Sequence, residues 1–123
     1  MYNVEKTGEL VHGEYPPTVG TGGEIVLYTR DGAVRDLAAT ERLEVMSVYM
    51  NNTVESLVTL FCDTNADSAV TAGERVIALS IAARGGAVWK IKGFVSALGA
   101  KPRVLASAEG TVSAGLTGYI WKD

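Results

Sequence analysis

The sequence predicts an all-β domain, an antiparallel β-sandwich or jelly roll that carries an extended N-terminal arm. Two apolar runs, residues 54–62 and 76–83, flank a polar loop of turn-forming residues, and together they indicate a wide hairpin. From residue 76 onward short apolar runs are separated by glycine, a spacing typical of antiparallel sandwiches. Residues 111–121 alternate with a period of two, as expected of a strand with one buried face.

Length and composition describe a small folded domain. The chain has 123 residues, enough for one domain that buries roughly two-thirds of the surface exposed by its unfolded form. Apolar residues make up 47% of the sequence and charged residues only 20%, below the usual share of about a quarter. A modest deficit of charge fits a protein partly covered by another subunit, and it also fits a tightly closed monomer.

Residues 1–23 are expected to form the extended arm, separate from a sandwich domain at residues 24–123. Five of the 14 glycines and the adjacent Pro16 and Pro17 fall in this segment. Adjacent prolines impose extended backbone and remove two hydrogen-bond donors, so we expect neither a helix nor a central strand to pass through them. The arm is too apolar for a free tail and is expected to lie on its own sheet or on a neighbour's, through Tyr2, Val4, Leu10, Val11, Tyr15 and Val19. A frayed terminus is the alternative.

The first strands are predicted between residues 24 and 50. Residues 24–30 form a β-type run that ends at the turn dipeptide Asp31 and Gly32, and residues 33–37 supply a short partner. This pattern predicts a small hairpin. Residues 41–50 fit a helix or a strand, and Val45, Val48 and Tyr49 favour the strand.

The second half of the chain is predicted to continue the sheet as short strands. After the run 76–83 we expect strands at 87–92, 94–98, 103–108 and 111–121, with glycine in the tight connections. The last two would form a hairpin around Glu109 and Gly110. In the final strand the even-numbered residues 112–120 form the core face, which leaves Tyr119 and Trp121 on the other. A partner, a second sheet or the arm is expected to cover this aromatic pair.

The sequence holds no recognisable catalytic motif, so we expect a non-enzymatic protein without a cofactor. Cys62 is the only cysteine and ends an apolar run, which predicts a core residue and not a nucleophile. His12 is the only histidine, so a zinc site would lack a second histidine ligand and a catalytic dyad would have little to build on. The N-terminus lacks a signal-peptide pattern and no run is long enough to cross a bilayer, so we expect a soluble protein made in the cytoplasm.

The polar loop of the wide hairpin resembles the start of a calcium-binding loop. Oxygen-bearing side chains stand at Asp63, Asn65 and Asp67. Glu74 falls where an EF-hand has its bidentate twelfth ligand. The sixth position, however, is Ser68 where the sharp turn normally requires glycine, and the flanking runs predict strands. The four oxygen donors are therefore a weak calcium candidate beside the simpler interpretation as turn residues.

Charge is distributed unevenly along the chain. Residues 1–74 hold 12 acidic and 4 basic side chains. Residues 75–108 hold no acidic side chain and six basic ones, namely Arg75, Arg84, Lys90, Lys92, Lys101 and Arg103. Cross-strand pairing within the chain explains this asymmetry, and so does contact between the basic stretch and an acidic surface of another subunit. Nucleic acid is not expected as a partner, because the net charge is −3 and few aromatic residues accompany the basic ones.

The order of these segments resembles a known family. An apolar strand that ends in Leu60, Phe61, Cys62 and Asp63 is followed by a polar loop, the run 76–83, a glycine turn and the closing segment 111–121. From residue 41 to residue 121 this layout is similar to that of the small β-sandwich virion proteins of tailed bacteriophages, such as the head decoration or cement proteins. The resemblance implies a protein that assembles, often as a homotrimer, at junctions between capsid subunits and grips its neighbours with an extended arm.

Residues and resemblance together predict a non-enzymatic virion protein that stabilises the phage head. Its contacts to the major capsid protein, to another virion protein or to further copies of itself are expected from the arm, the basic stretch and the last strand: Tyr2, Val4, Leu10, Val11, Tyr15, Arg84, Lys90, Lys92, Lys101, Arg103 and Trp121. Deleting residues 1–23 should then leave a folded sandwich that no longer binds its lattice.

Two alternatives stay open. The first is a ligand-binding β-sandwich module, dependent on a glycan or on calcium, in which Trp89, Tyr119 or Trp121 forms a stacking surface. A melting temperature that responds to calcium would favour it. The second is a tail or fibre component of the same kind of virion, which the sequence does not separate from a head protein.

Overall fold

Seven β-strands make up the fold. The computed structural model describes residues 8–65, 67, 69–71 and 73–122. The strands are β1 (Glu9–Glu24), β2 (Val26–Thr29), β3 (Glu41–Asn52), β4 (Ser56–Asp63), β5 (Arg75–Ile81), β6 (Ala87–Val95) and β7 (Lys101–Lys122). Every strand pair is antiparallel. The predicted all-β antiparallel sandwich class is confirmed.

The long strand β7 organises the sheet. Along one edge it pairs with β1, from Arg103 opposite Glu24 to Ile120 opposite Glu9. Along the other edge it pairs first with β4, through residues 101–106, and then with β3, through residues 112–122. Strands β2 and β6 extend the sheet beyond β1 and β3, and β5 extends it beyond β4. The sheet therefore has two halves that share β1 and β7.

One apolar core takes side chains from both halves of the sheet. Val45 of β3, Val58 of β4 and Val112 of β7 are fully buried and belong to the same cluster. The even-numbered residues predicted as the core face of the last strand, 112–120, are all buried. Cys62 is 1% exposed, as predicted for a core residue. Burial, with a smaller contribution from the nearby carboxylate of Glu74, raises the pKa of the Cys62 thiol to about 12.

The segment predicted as an arm is largely a strand of the sheet. Strand β1 lies between β2 and β7, and its Val11 side chain is buried in the core. The expectation that no central strand passes Pro16 and Pro17 is wrong, because the pairing with β7 shifts by one residue between Tyr15 and Thr18. At a β-bulge the ladder is locally interrupted, so the backbone N–H groups that the two prolines lack are not needed for pairing there. The fold has no boundary at residue 23, and we do not expect a chain without residues 1–23 to fold.

Two glycines predicted as connections lie inside long strands. Strand β7 runs through Gly110 without a turn, so the predicted hairpin of residues 103–108 and 111–121 is wrong. The missing side chain makes room for Asn52, since a Cβ on Gly110 would lie 2.2 Å from the Asn52 Oδ1. Gly93 likewise lies within β6, where its φ of 79° accompanies a shift in the pairing with β3. Both glycines therefore lie at irregularities within strands and not in turns.

The remaining strand predictions agree with the structure in whole or in part. The wide hairpin is confirmed by β4 and β5, which pair from Ser56 opposite Ile81 onward. The strand interpretation of residues 41–50 is confirmed by β3. The small hairpin at residues 24–37 forms only in part, because after the turn Val34 makes a single isolated bridge to Tyr28.

Two valines of β1 test whether this strand belongs to the core. Val11 is 1% exposed and Val19 is 74% exposed. Val11→Ala is expected to lower the free energy of unfolding by about 2 kcal/mol, because it removes buried methyl groups and leaves a cavity. Val19→Ala, the matched control, should change it little. Urea denaturation followed by circular dichroism measures both variants, and equal effects would place β1 outside the core.

Candidate functional site

The arm residues predicted to contact a partner have different environments. Tyr2 and Val4 lie outside the described residues. Val11 is 1% exposed, so its predicted role in a contact is wrong. Tyr15 is half-buried against the core. Among the described arm residues that the sequence predicted to contact a partner, only Leu10 is exposed, with 48% of its surface accessible.

The start of β7 brings two basic residues close to Glu24 of β1. Lys101 Nζ lies 4.0 Å from Glu24 Oε1. Arg103 stands directly opposite Glu24 in the ladder of β1 and β7. For Lys101 the structure favours the first explanation of the charge asymmetry, cross-strand pairing within the chain, which makes Lys101 a weaker candidate for contact with another subunit. Arg103 faces Glu24 across the ladder but forms no ion pair with a described residue.

The other basic residues of the stretch lie on or before the edge strand β6. Arg84 is exposed in the turn that precedes β6, where it adopts a φ of 58°. Lys90 and Lys92 are exposed on β6 itself. Within the described part of the chain, none of these three cations forms an ion pair. Their charge is therefore available to a partner.

Large exposed apolar side chains neighbour the two lysines along β6. Val88 is 74% exposed and Trp89 is 55% exposed. The free edge of β6 has no strand partner among the described residues. We call this region the β6 surface and define it by Met46, Val88, Trp89, Lys90, Lys92 and Val95. In the ladder with β3, Val88 stands opposite the exposed Tyr49 and Trp89 opposite the buried Val48, so these two side chains flank the free edge on opposite faces. An edge strand that exposes apolar and basic side chains in this way offers a contact to another macromolecule.

The aromatic pair at the end of β7 is covered by the chain itself. The rings of Tyr119 and Trp121 have centroids 6.3 Å apart. The Trp121 indole N–H donates to Glu44 Oε1 at 2.9 Å. Gly8 lies against the same ring, since a Cβ on Gly8 would be 2.8 Å from Trp121 Cζ2. Gly8, just before β1, thus supplies one of the three covers that the sequence left open, which leaves less of Trp121 for a partner.

A groove of about 620 Å³ crosses the outer face of the sheet over β1, β7 and β3. Its floor is open at Gly115, which the two ladders place between Glu14 and Tyr49. A Cβ on Gly115 would meet only the carbonyl oxygen of Gly13, at 3.4 Å. The bulge at Pro16 lines one side of the groove. The sequence analysis did not predict this groove. The signal for it in the sequence is that small residues occupy alternate positions of β7, on the face that forms the floor.

The polar groups of the groove are hydroxyls, one imidazole and one carboxylate: Ser47, Tyr49, Ser113, Thr117, His12 and Glu14. The hydroxyl oxygens of Ser47 and Thr117 are 2.6 Å apart. The His12 ring stacks on Tyr28 with a centroid distance of 5.4 Å and an interplanar angle of 22°. These contacts hold the lining side chains in fixed positions on neighbouring strands.

The predicted calcium loop uses Glu74 to hold its own backbone. Glu74 is 2% exposed. Its Oε2 accepts hydrogen bonds from the backbone N–H and the hydroxyl of Thr64, at 2.7 and 2.6 Å, and its Oε1 accepts one from the N–H of Thr71 at 2.7 Å. These hydrogen bonds lower the pKa of Glu74 to about 2. Both oxygens that a calcium ion would require are engaged by the loop.

The other residues of the calcium candidate have similar local roles. Asp63 Oδ1 accepts from the N–H of Asn65 at 3.3 Å, and Asp67 Oδ1 accepts from the N–H of Ala69 at 2.9 Å. Within residues 8–65, 67, 69–71 and 73–122, no group of three or more side chains that bind metals comes together. The interpretation as turn-forming residues is therefore favoured over a calcium site.

A second buried carboxylate, Glu41, also has a structural partner. Glu41 is 3% exposed, and its Oε2 lies 2.6 Å from Arg35 Nη2. The same guanidinium lies 3.1 Å from Glu9 Oε2, so it links β3 to the start of β1. The hydrogen bond from Arg35 holds the pKa of Glu41 below its ordinary value. This cluster ties the segment after β2 to the sheet.

Replacing Glu74 is expected to make stability less sensitive to acid. Because folding lowers the pKa of Glu74 from 4.5 to about 2, the ionised carboxylate stabilises the fold above pH 4.5, and this contribution is lost as the pH falls toward 2. Glu74→Gln should lower the free energy of unfolding at neutral pH and flatten its decline in acid. Urea titrations at a series of pH values measure this, with the exposed Glu55→Gln as control. A Glu74→Gln protein with the native pH profile would contradict the role.

Because comparisons with known proteins found no match, the surfaces described above are the basis for proposing a function. No family model matches the chain, and no curated protein matches it. In the part of the chain that the structure describes, no helix has the length and apolar character needed to cross a membrane.

Proposed function

We propose that this chain is a non-enzymatic structural protein of a tailed-phage virion, of the type that decorates and cements the head. The β6 surface is the observation that carries the proposal. It leaves the large side chains of Val88 and Trp89 in water, where burial against another protein is favourable. Tryptophan is also enriched among the residues that contribute most to protein interfaces.

The lysines of the β6 surface indicate the chemistry of the partner. Lys90 and Lys92 form no ion pair with a described residue, so an acidic surface on the partner gains charge complementarity without breaking a contact inside the chain. Lysine on an edge strand and the bulge at Gly93 also hinder the addition of another strand. The proposed contact is therefore made by side chains on and around β6 and not by main-chain pairing.

In the proposed role many copies bind one assembled shell. Binding that favours the assembled shell over its free subunits stabilises the shell by mass action. A homotrimer would present three β6 surfaces at each capsid junction and would add their contributions through multivalency. A modest affinity for each copy is then sufficient for stable decoration. An identical subunit placed in a tail or fibre would use the same surface.

The mass of the free protein tests the trimer. Light scattering after size exclusion is expected to give three times the chain mass of 13.0 kDa. The mass should be the same with EDTA and with excess calcium, because the oxygens of Glu74 are engaged by the loop. A monomer whose mass and shape respond to calcium would contradict the proposal and favour the ligand-binding module.

Binding to capsid shells tests the β6 surface directly. The double variant Trp89→Ser/Lys90→Glu is expected to bind empty shells of the phage that encodes the chain about tenfold or more weakly, because it removes an aromatic contact and reverses a charge. Co-sedimentation with the shells measures this. The control Leu57→Ser/Lys122→Glu changes exposed residues of the same chemistry elsewhere and should bind as the native chain does.

Both double variants should melt at the native temperature, since all four side chains are exposed. Native affinity of the Trp89→Ser/Lys90→Glu protein for the shells would rule out the β6 surface as the contact. Absence of binding by the native chain would rule out the decoration role itself.

A further inference from the structure

We infer that the groove over Gly115 is a binding site for a neutral carbohydrate. Its volume of about 620 Å³ lies within the range of about 300–1,000 Å³ found for small-molecule sites. The groove lies on the outer face of the sheet, away from the apolar core, and it is open to solvent. Such a shape accommodates a short chain of sugar units. This inference is independent of the proposed role in the virion.

The polar lining matches the hydrogen-bonding chemistry of sugars. The hydroxyls of Ser47, Ser113 and Thr117 each donate and accept, as every sugar hydroxyl does. The carboxylate of Glu14 accepts hydrogen bonds from two neighbouring hydroxyls of a ligand, a strong interaction because the acceptor is charged. Such side chains can satisfy a ligand that carries many hydroxyls and no net charge.

The charge of the lining disfavours anionic ligands. No described lysine or arginine lines the groove, so a phosphate, a sulfate or a nucleic acid would find no counter-charge there. The same ligand would face the carboxylate of Glu14, which repels it. Lys90 is the cation of the basic stretch that stands opposite a lining residue, Ser47, and it is not itself part of the lining. A neutral ligand is therefore favoured.

The apolar lining fits the C–H faces of sugar rings. The Tyr49 side chain is 40% exposed beside the floor, and Pro16 and Pro17 form the opposite side. Flat aromatic and proline surfaces bury apolar area against a ring without requiring a charge. A purely apolar ligand would instead leave the hydroxyls of the floor without partners, which is costly. Only a ligand with both kinds of surface satisfies the whole groove.

Saturation-transfer NMR with neutral trisaccharides of glucose, galactose, mannose and N-acetylglucosamine tests the inference. At least one of them is expected to receive saturation from the protein, whereas a sialylated trisaccharide and glucose 6-phosphate should not. Gly115→Val, which fills the floor, should weaken binding of that trisaccharide about tenfold or more. Glu14→Gln, at an exposed position, should do the same with the fold intact, so a misfolded Gly115→Val protein would not obscure the result.

Two controls separate this inference from the proposed function. Trp89→Ser/Lys90→Glu should bind the trisaccharide as the native chain does, because neither residue lines the groove. Glu14→Gln should bind capsid shells normally. The inference would be overturned if no neutral trisaccharide binds, if the charged sugars bind better, if a proline-rich peptide binds in their place, or if both groove variants keep native affinity.

Discussion

The ladder between β1 and β7 holds the two halves of the sheet together, because these are the strands that both halves share. On its other edge β7 leaves β4 after Ala106 and meets β3 at Val112. In the gap the buried Asn52 side chain donates to the carbonyl of Ala108 at 3.0 Å and to the hydroxyl of Ser56 at 2.9 Å. A side chain thus satisfies a backbone carbonyl where the ladder is interrupted, at the point where β7 passes from one half of the sheet to the other.

Features of the fold that depend on neighbours along the chain could be predicted from the sequence, whereas features that depend on the ladder between β1 and β7 could not. The period of two at residues 111–121, the wide hairpin and the burial of Cys62 depend on neighbours along the chain, and local patterns predicted them correctly. Glu109 and Gly110 have the composition of a turn, yet β1 pairs with β7 on both sides of them and imposes extended backbone. A local rule also excluded a central strand at Pro16, whereas a bulge set by the distant β7 accommodates it.

The candidate surfaces were harder to predict because they depend on register between distant strands. Gly115 forms the floor of a groove only because Glu14 and Tyr49 stand on either side of it, and a shift of one residue would bring other side chains there. The basic stretch could be recognised in the sequence. Which of its residues pair within the chain, and which do not, could not be predicted. Pairing with Glu24 engages Lys101 at the start of β7, while the lysines of β6 lie on an edge strand of the sheet.

The two surfaces have different chemistry and nearly separate residues. The β6 surface combines exposed apolar groups with unpaired cations, which suits an acidic protein, whereas the groove combines hydroxyls with a single carboxylate, which suits a neutral polar ligand. Val88 alone belongs to both, because it lies on β6 and also borders the groove. A partner seated on β6 would therefore approach one side of the groove while its floor stayed open. With the β6 surface occupied, the floor of the groove on β7 stays open because β3 lies between β7 and β6, so an assembled subunit still presents its sugar site to solvent.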